Sequence, residues 1–324
     1  MVLAGTGILH MARFRKRFPW WFRIAAKIVL SRLPISYAVW KQIGLFEHGT
    51  MERPANAFEI FISLANAAHI SGVRDKDFCS ESNNRNPLDG FTVVEVGPGD
   101  SLFSALLAKS LGAQKCLLID AGTFATQKLD VYLEAAKFLE KNGLSVPWLT
   151  RPRSIGELME CCSAEYMTKG LKSVEQIPAE SVDYIFSNAV LEHIAKQEFI
   201  QYLSEFARIL KPGGISTHRV DLKDHLGGAL NNLRFSDRVW ESGLFTKSGF
   251  YTNRIRFSEM LDLFQGAGLE VEISDSFQWS HLPTPRARMD ERFRGLSDED
   301  LLTKGFVVAA VKSNSDKLGQ RRLK

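Results

Sequence analysis

The sequence predicts an α/β fold built on a doubly wound, mostly parallel sheet, and three features predict it. From Phe91 onward, short β-branched strands alternate with helix-length segments, the pattern of parallel strands joined by crossover helices. One strand runs straight into Gly97-Pro98-Gly99, and a helix leaves that turn. The next strand closes on an acid, Asp120, 25 positions after Glu95.

Each element follows from its local pattern. Phe91–Val96 is rich in β-branched residues and reads as the first strand, followed by a helix from Ser101 to Leu111. Lys115–Ile119 reads as the second strand, with a helix-like stretch from Thr123 to Asn142. Asp183–Ser187 is a strand, Gln197–Leu210 a helix, and Lys211-Pro212-Gly213-Gly214 a turn into the strand Ile215–Val220. Ser258 is placed to cap a helix Glu259–Gly266, which Gly266 and Gly268 close. Two late strands, Leu269–Ser274 and Gly305–Val311, complete the set.

Ahead of this pattern lies a different composition. The chain has 324 residues and a net charge of +4, but its first 46 residues hold eight Lys or Arg and no acid. The remainder carries 33 basic against 37 acidic residues, so the basic character belongs to the N-terminus. Pro19 suits the first turn of a helix over Trp20–Leu30, in which Arg23 and Lys27 share one face and apolar residues cover the rest. Such a helix would suit peripheral contact with a membrane surface, or docking on the main domain with its basic face in water; docking is the favoured reading. An apolar stretch at Tyr37–Phe46, a helix-like segment Ala55–Ile70 and the Asn- and Ser-rich loop Ser80–Pro87 follow.

The expected organisation is therefore a basic helical extension over 1–79, a main domain over 88–312 with an insertion at about 222–255, and a basic tail over 313–324. No apolar run approaches the ~20 residues that span a bilayer. The four cysteines show no zinc spacing, adjacent Cys161 and Cys162 make a poor disulfide pair, and no metal site is read from the sequence. The expectation is a reduced, cytoplasmic chain, soluble or peripheral at the inner membrane surface. A transit peptide would share the basic, acid-poor start. The short basic cluster and the net acidic remainder argue against a nucleic-acid partner.

Glycines in a strand–helix turn allow a tight bend and close approach of a ligand to the backbone. A dinucleotide fingerprint would place a third glycine at 102, where this chain has Leu102. An acid at 120 can accept both hydroxyls of a ribose, since a carboxylate offers paired acceptors; it could equally cap a helix beginning at Ala121. With these residues, the stretch Asp183–His193 and the turn Leu210–Gly214, the sequence resembles the class I S-adenosylmethionine-dependent methyltransferases. The likeness is to their small-molecule branch, including bacterial enzymes associated with cell-surface polysaccharides. It covers about residues 90–220 plus the terminal helix and strands.

The resemblance implies a Rossmann-like sheet with an antiparallel last strand at Lys304–Val311 and S-adenosyl-L-methionine as cofactor. It implies that Glu95, Gly97, Pro98 and Gly99 face the methionine part, that Asp120 holds the ribose, and that Ala121 beside it and Asn188 and Ala189 in the turn after the fourth strand also bind the cofactor. No adenine-binding acid can be placed in Ala164–Gly170. Catalytic candidates are His218, Asp221 and His225, just past the fifth strand, and His193 after the fourth; a hydroxyl acceptor needs a general base. The expected substrate is a small or glycan-like hydroxyl compound, with Asn231, Asn232, Arg234, Asn253 and Arg254 of the insertion as polar lining or as parts of a solvated cap. The rival classes are a nicotinamide oxidoreductase on the same kind of sheet and a binding module without activity.

Overall fold

The computed structural model describes residues 21, 22, 24, 28, 51–70 and 86–313. The basic cluster at 13–17, the apolar stretch at 37–46, most of the 80–87 loop and all of the tail after Ser313 lie outside these residues. Seven strands form one sheet in the order β3-β2-β1-β4-β5-β7-β6. They are β1 (Thr92–Val96), β2 (Lys115–Ile119), β3 (Ala164–Met167), β4 (Val182–Asn188), β5 (Leu210–Asp221), β6 (Leu269–Gln278) and β7 (Thr303–Lys312). The first five pair in parallel, and β7 runs antiparallel between β5 and β6. The strand order reverses between β1 and β4, which puts the ligand crevice at their carboxyl ends.

Alternation within each strand divides the core in two. Val93 of β1 joins one cluster with Phe103 of α2 (Phe103–Ser110) and with Tyr132 and Leu139 of α3 (Leu129–Lys141). Val94 and Val96 join the other, with Phe199, Leu203 and Phe206 of α6 (Lys196–Ile209) and Phe264 of α9 (Phe257–Gly266). Helix α1 (Pro54–Ala67), the helix expected within the N-terminal extension, belongs to the first cluster. Its Phe61 meets Phe186 of β4 edge to face at 5.0 Å, so this helix is a layer on the sheet.

Three local expectations differ from the structure. Helix α3 starts at Leu129 rather than Thr123, because Ala121–Lys128 is occupied by loop contacts, including Thr126 N–H to the Asp100 carbonyl. Lys211–Gly214 is part of β5: Val182 pairs with Leu210 and Tyr184 with Ile215, so the extra residues bulge out of the ladder. Ser258 lies inside the first turn of α9, and its backbone N–H donates to Asp300 at 2.8 Å. That helix start is thus served by a carboxylate 42 residues away.

The insertion after β5 holds short helices α7 (Asp237–Trp240) and α8 (Gly243–Thr246) and an aromatic cluster of Trp240, Phe245, Phe250 and Tyr251. Ile24 is buried against this cluster and Ile28 packs beside it, while Trp21 and Phe22 stay exposed. Among the described residues, no helix is long and apolar enough to cross a membrane.

Candidate active site

The glycine turn sits where β1 delivers it, at the crevice. Gly97 takes φ +74°, and a Cβ there would lie 2.3 Å from a methyl of Val190, so glycine is needed for close packing of the β4 turn on the loop. Gly99 takes φ +66° and faces open space, which leaves its backbone approachable. Asp120, at the end of β2, accepts from Gly99 N–H at 3.1 Å and from Ala121 N–H at 2.7 Å. The carboxylate thus joins the ends of β1 and β2, and partial burial pushes it up to about 6. Glu95 is different. It points between the sheet and α2, where Ser104 bonds it, and burial pushes it up to about 8. The open backbone at Gly99 and the paired oxygens of Asp120 fit a nucleoside-bearing cofactor.

The wall beside this loop comes from β4. Asn188 ends the strand, half-buried, and Ala189 takes φ +54° with its N–H on the Arg219 carbonyl of β5. A 3₁₀ turn, Leu191–His193, follows. His193 Nδ1 lies 2.9 Å from the Tyr251 carbonyl, and since that oxygen can only accept, Nδ1 carries the proton. The ring stacks on His225 with centroids 4.7 Å apart. His225 is held by its neighbour: the Asp224 carboxylate accepts from the backbone N–H groups of Leu226, Gly227, Gly228, Ala229 and Asn231. Asp221 closes β5, partly exposed, with its carboxylate on the backbone N–H and ammonium of Lys223. Its own N–H donates to Glu192 Oε1 at 3.3 Å.

The structure therefore brings three of the four catalytic candidates, His193, His225 and Asp221, to one place, and leaves out the fourth. His218 is fully buried on the other side of β5, stacked on Phe206 and against Phe264, with Nδ1 at 2.8 Å from Ser187 Oγ. Burial alone drives its pKa down to about 3, so it stays neutral. Alternation puts it on the helix-covered face, away from Asp221.

The polar residues of the insertion are also turned inward. Asn253 donates to the carbonyls of Leu191 and Ile194 and so clamps the 3₁₀ turn. Asn231 donates to Asp224 and Asn232 to Thr252, and Arg254 is buried against Asp237 and Glu241. Arg234 is tied to Asn231. These side chains hold the loop rather than line a cleft.

One residue escaped the sequence reading. Glu192 is buried, its Oε2 lacks a hydrogen-bond partner, and burial pushes it up to about 8. One ligand atom from each of Glu192, His193 and His225 falls within 4.8 Å of the others. Glu192 and His193 are adjacent, but His225 is 32 residues further on, so no spacing motif announced the group.

Residues 153–217 match the family described as a methyltransferase domain. The match spans β3, β4 and the start of β5, including the segment in which no adenine-binding acid could be placed; the glycine turn lies outside it. No curated protein matches the chain. Solved structures similar to it include YcgJ from Bacillus subtilis, at 16% identity and TM-score 0.41, covering 81% of this chain and 100% of that one. A Methanosarcina mazei S-adenosylmethionine-dependent methyltransferase has 16% identity and TM-score 0.44, over 70% of this chain and 94% of that one. Phosphoethanolamine N-methyltransferase 2 of Haemonchus contortus has 17% identity and TM-score 0.40, over 70% and 49%. The seven-stranded sheet with its antiparallel β7 has the Rossmann-like methyltransferase architecture, and the match over residues 153–217 agrees with a methyltransferase dependent on S-adenosylmethionine.

Proposed function

We propose that the chain methylates a hydroxyl oxygen of a small or glycan-like acceptor. The observation that carries this reading is the gathering of His193, His225 and Asp221 at the carboxyl ends of β4 and β5, beside the glycine turn. A hydroxyl must lose its proton as it attacks, and proton acceptors at this edge meet that need. The glycan-like class rests on the sequence resemblance to polysaccharide-associated enzymes.

In this reading Glu95, Gly97, Pro98 and Gly99 form the floor under the methionine part, with Glu95 acting from beneath through the loop. Asp120 and Ala121 receive the ribose, and Asn188 and Ala189 form the adjoining wall. The cofactor supplies a methyl carbon on a sulfonium that departs as a neutral thioether. With the cofactor bound, Asp221 would accept the proton that the acceptor hydroxyl gives up. The stacked imidazoles orient the acceptor oxygen. Alignment of these groups supplies much of the rate.

Incubation with methyl-labelled S-adenosylmethionine and a panel of sugars, polyols, phenols and amines tests the reading. Label in a base-stable ether supports it. Label found only on nitrogen acceptors overturns it.

A further inference from the structure

We propose that Glu192, His193 and His225 bind a divalent transition-metal ion. Three features converge on this. Their ligand atoms lie within 4.8 Å of one another, close enough to share one ion. Two imidazoles and one carboxylate are the donor set that suits Zn²⁺, Mn²⁺ or Co²⁺ and leaves coordination positions open.

The second feature is an unspent acceptor. Glu192 is 1% exposed, and its Oε2 has no hydrogen-bond partner. A buried carboxylate oxygen left this way is costly and calls for a cation. The ammonium of Lys223 is paired with Asp221 at 3.2 Å instead.

The third feature is the support around the donors. His193 Nδ1–H donates to the Tyr251 carbonyl, which leaves Nε2 with its lone pair; metal-binding histidines are oriented in this way. Asn253 N–H fixes the Glu192 carbonyl at 2.8 Å, and Asn253 Nδ2 fixes the carbonyls on either side of the turn. The Asp224 knot fixes the backbone next to His225. Donors held on rigid backbone from two strand ends form a preorganised site.

Val190, two residues before Glu192, packs on Gly97, so the ion would sit beside the cofactor loop. An ion there acidifies a coordinated hydroxyl. That role rests on the hydroxyl-acceptor reading above; the binding of the ion does not.

The test is equilibrium dialysis of the full-length, EDTA-stripped protein against Zn²⁺, Mn²⁺ and Co²⁺, with bound metal measured by atomic absorption. One equivalent is expected, with affinity falling more than ~10-fold in Glu192→Gln and His225→Ala and unchanged in His281→Ala, an exposed histidine elsewhere. Equal affinity in all variants, or only weak Mg²⁺ binding that ignores the histidines, overturns the proposal. Should His225→Ala lose its circular dichroism, the Co²⁺ spectrum of the unmutated protein decides, and absence of nitrogen-ligand bands refutes the site. S-adenosylmethionine titration of the stripped protein separates the two readings. Cofactor binding without metal retention defeats only the metal site, and metal retention without cofactor binding defeats only the acceptor role.

Discussion

Asp120 is the residue whose single change should report most directly on cofactor capture. Asp120→Ala removes both acceptors from the proposed ribose position and releases the Gly99 and Ala121 amides. Hydrogen bonds to a charged group are worth about 1.5–3 kcal/mol, so S-adenosylmethionine affinity should fall ~10- to 100-fold by calorimetric titration. Unchanged affinity would remove Asp120 from the cofactor site. His218 makes an opposite kind of statement. Its folded pKa of about 3 lies below the unfolded 6.5, so the unfolded chain binds the extra proton. Its stability contribution is full above 6.5 and is lost as pH falls towards 3, at up to about 1.4 kcal/mol per pH unit. Glu95 and Glu192, held up near 8, work the other way and lose stability as pH rises from 4.5. Comparing His218→Asn with the unmutated protein cancels the glutamates. The variant should lose less melting temperature between pH 7 and pH 5, and parallel profiles would contradict this account.

At the scale of elements, the loop after β5 depends on one carboxylate. Asp224 gathers five backbone amides and the Asn231 side chain, more hydrogen bonds than any other side chain gives the loop from Leu226 to Asn231. Asp224→Ala should cost about 2–3 kcal/mol and open this segment to proteolysis while the sheet stays intact. An unchanged digestion pattern would argue that the aromatic cluster alone holds the loop. Here the limits of the sequence become physical. Strands and crossover helices were legible because their patterns are local: β1, β2 and β6 start within a residue of their expected places. The insertion was not, since Asn231, Asn253 and Arg254 look like ligand-facing groups until their partners, up to 62 residues away, are known. Glu192 was hidden for the same reason, as a carboxylate in an ordinary strand-to-helix connection carries no signal of burial. The Ser258 cap failed because a long-range acid, Asp300, took that amide.

At the scale of the molecule, Ile24 and Ile28 join residues of the insertion in one aromatic cluster. Ile24 buries its side chain against Trp240, Phe245 and Phe250. Ile24→Ala should lower stability by ~2 kcal/mol, at the low end for a buried aliphatic truncation, and shift the tryptophan emission to the red. No shift would mean that the segment rests elsewhere in solution. The basic character of the first 46 residues could be read from the sequence, but the aromatic cluster that Ile24 and Ile28 pack on could not, because the partners of that contact are separated by some 200 residues.

The place of β7 bears on how the chain is made. Among the described residues, the last strand in sequence is an interior strand of the sheet, flanked by β5 and β6. Until residue 312 clears the ribosome, β5 exposes a bare edge of seven register positions, Ile215 to Asp221, and β6 has no neighbour at all. Open edges of this kind invite pairing with other chains. A nascent copy stalled near residue 300 would be a sticky, unfinished sheet. Closure of the sheet comes late, with the ten residues of β7 acting as the keystone.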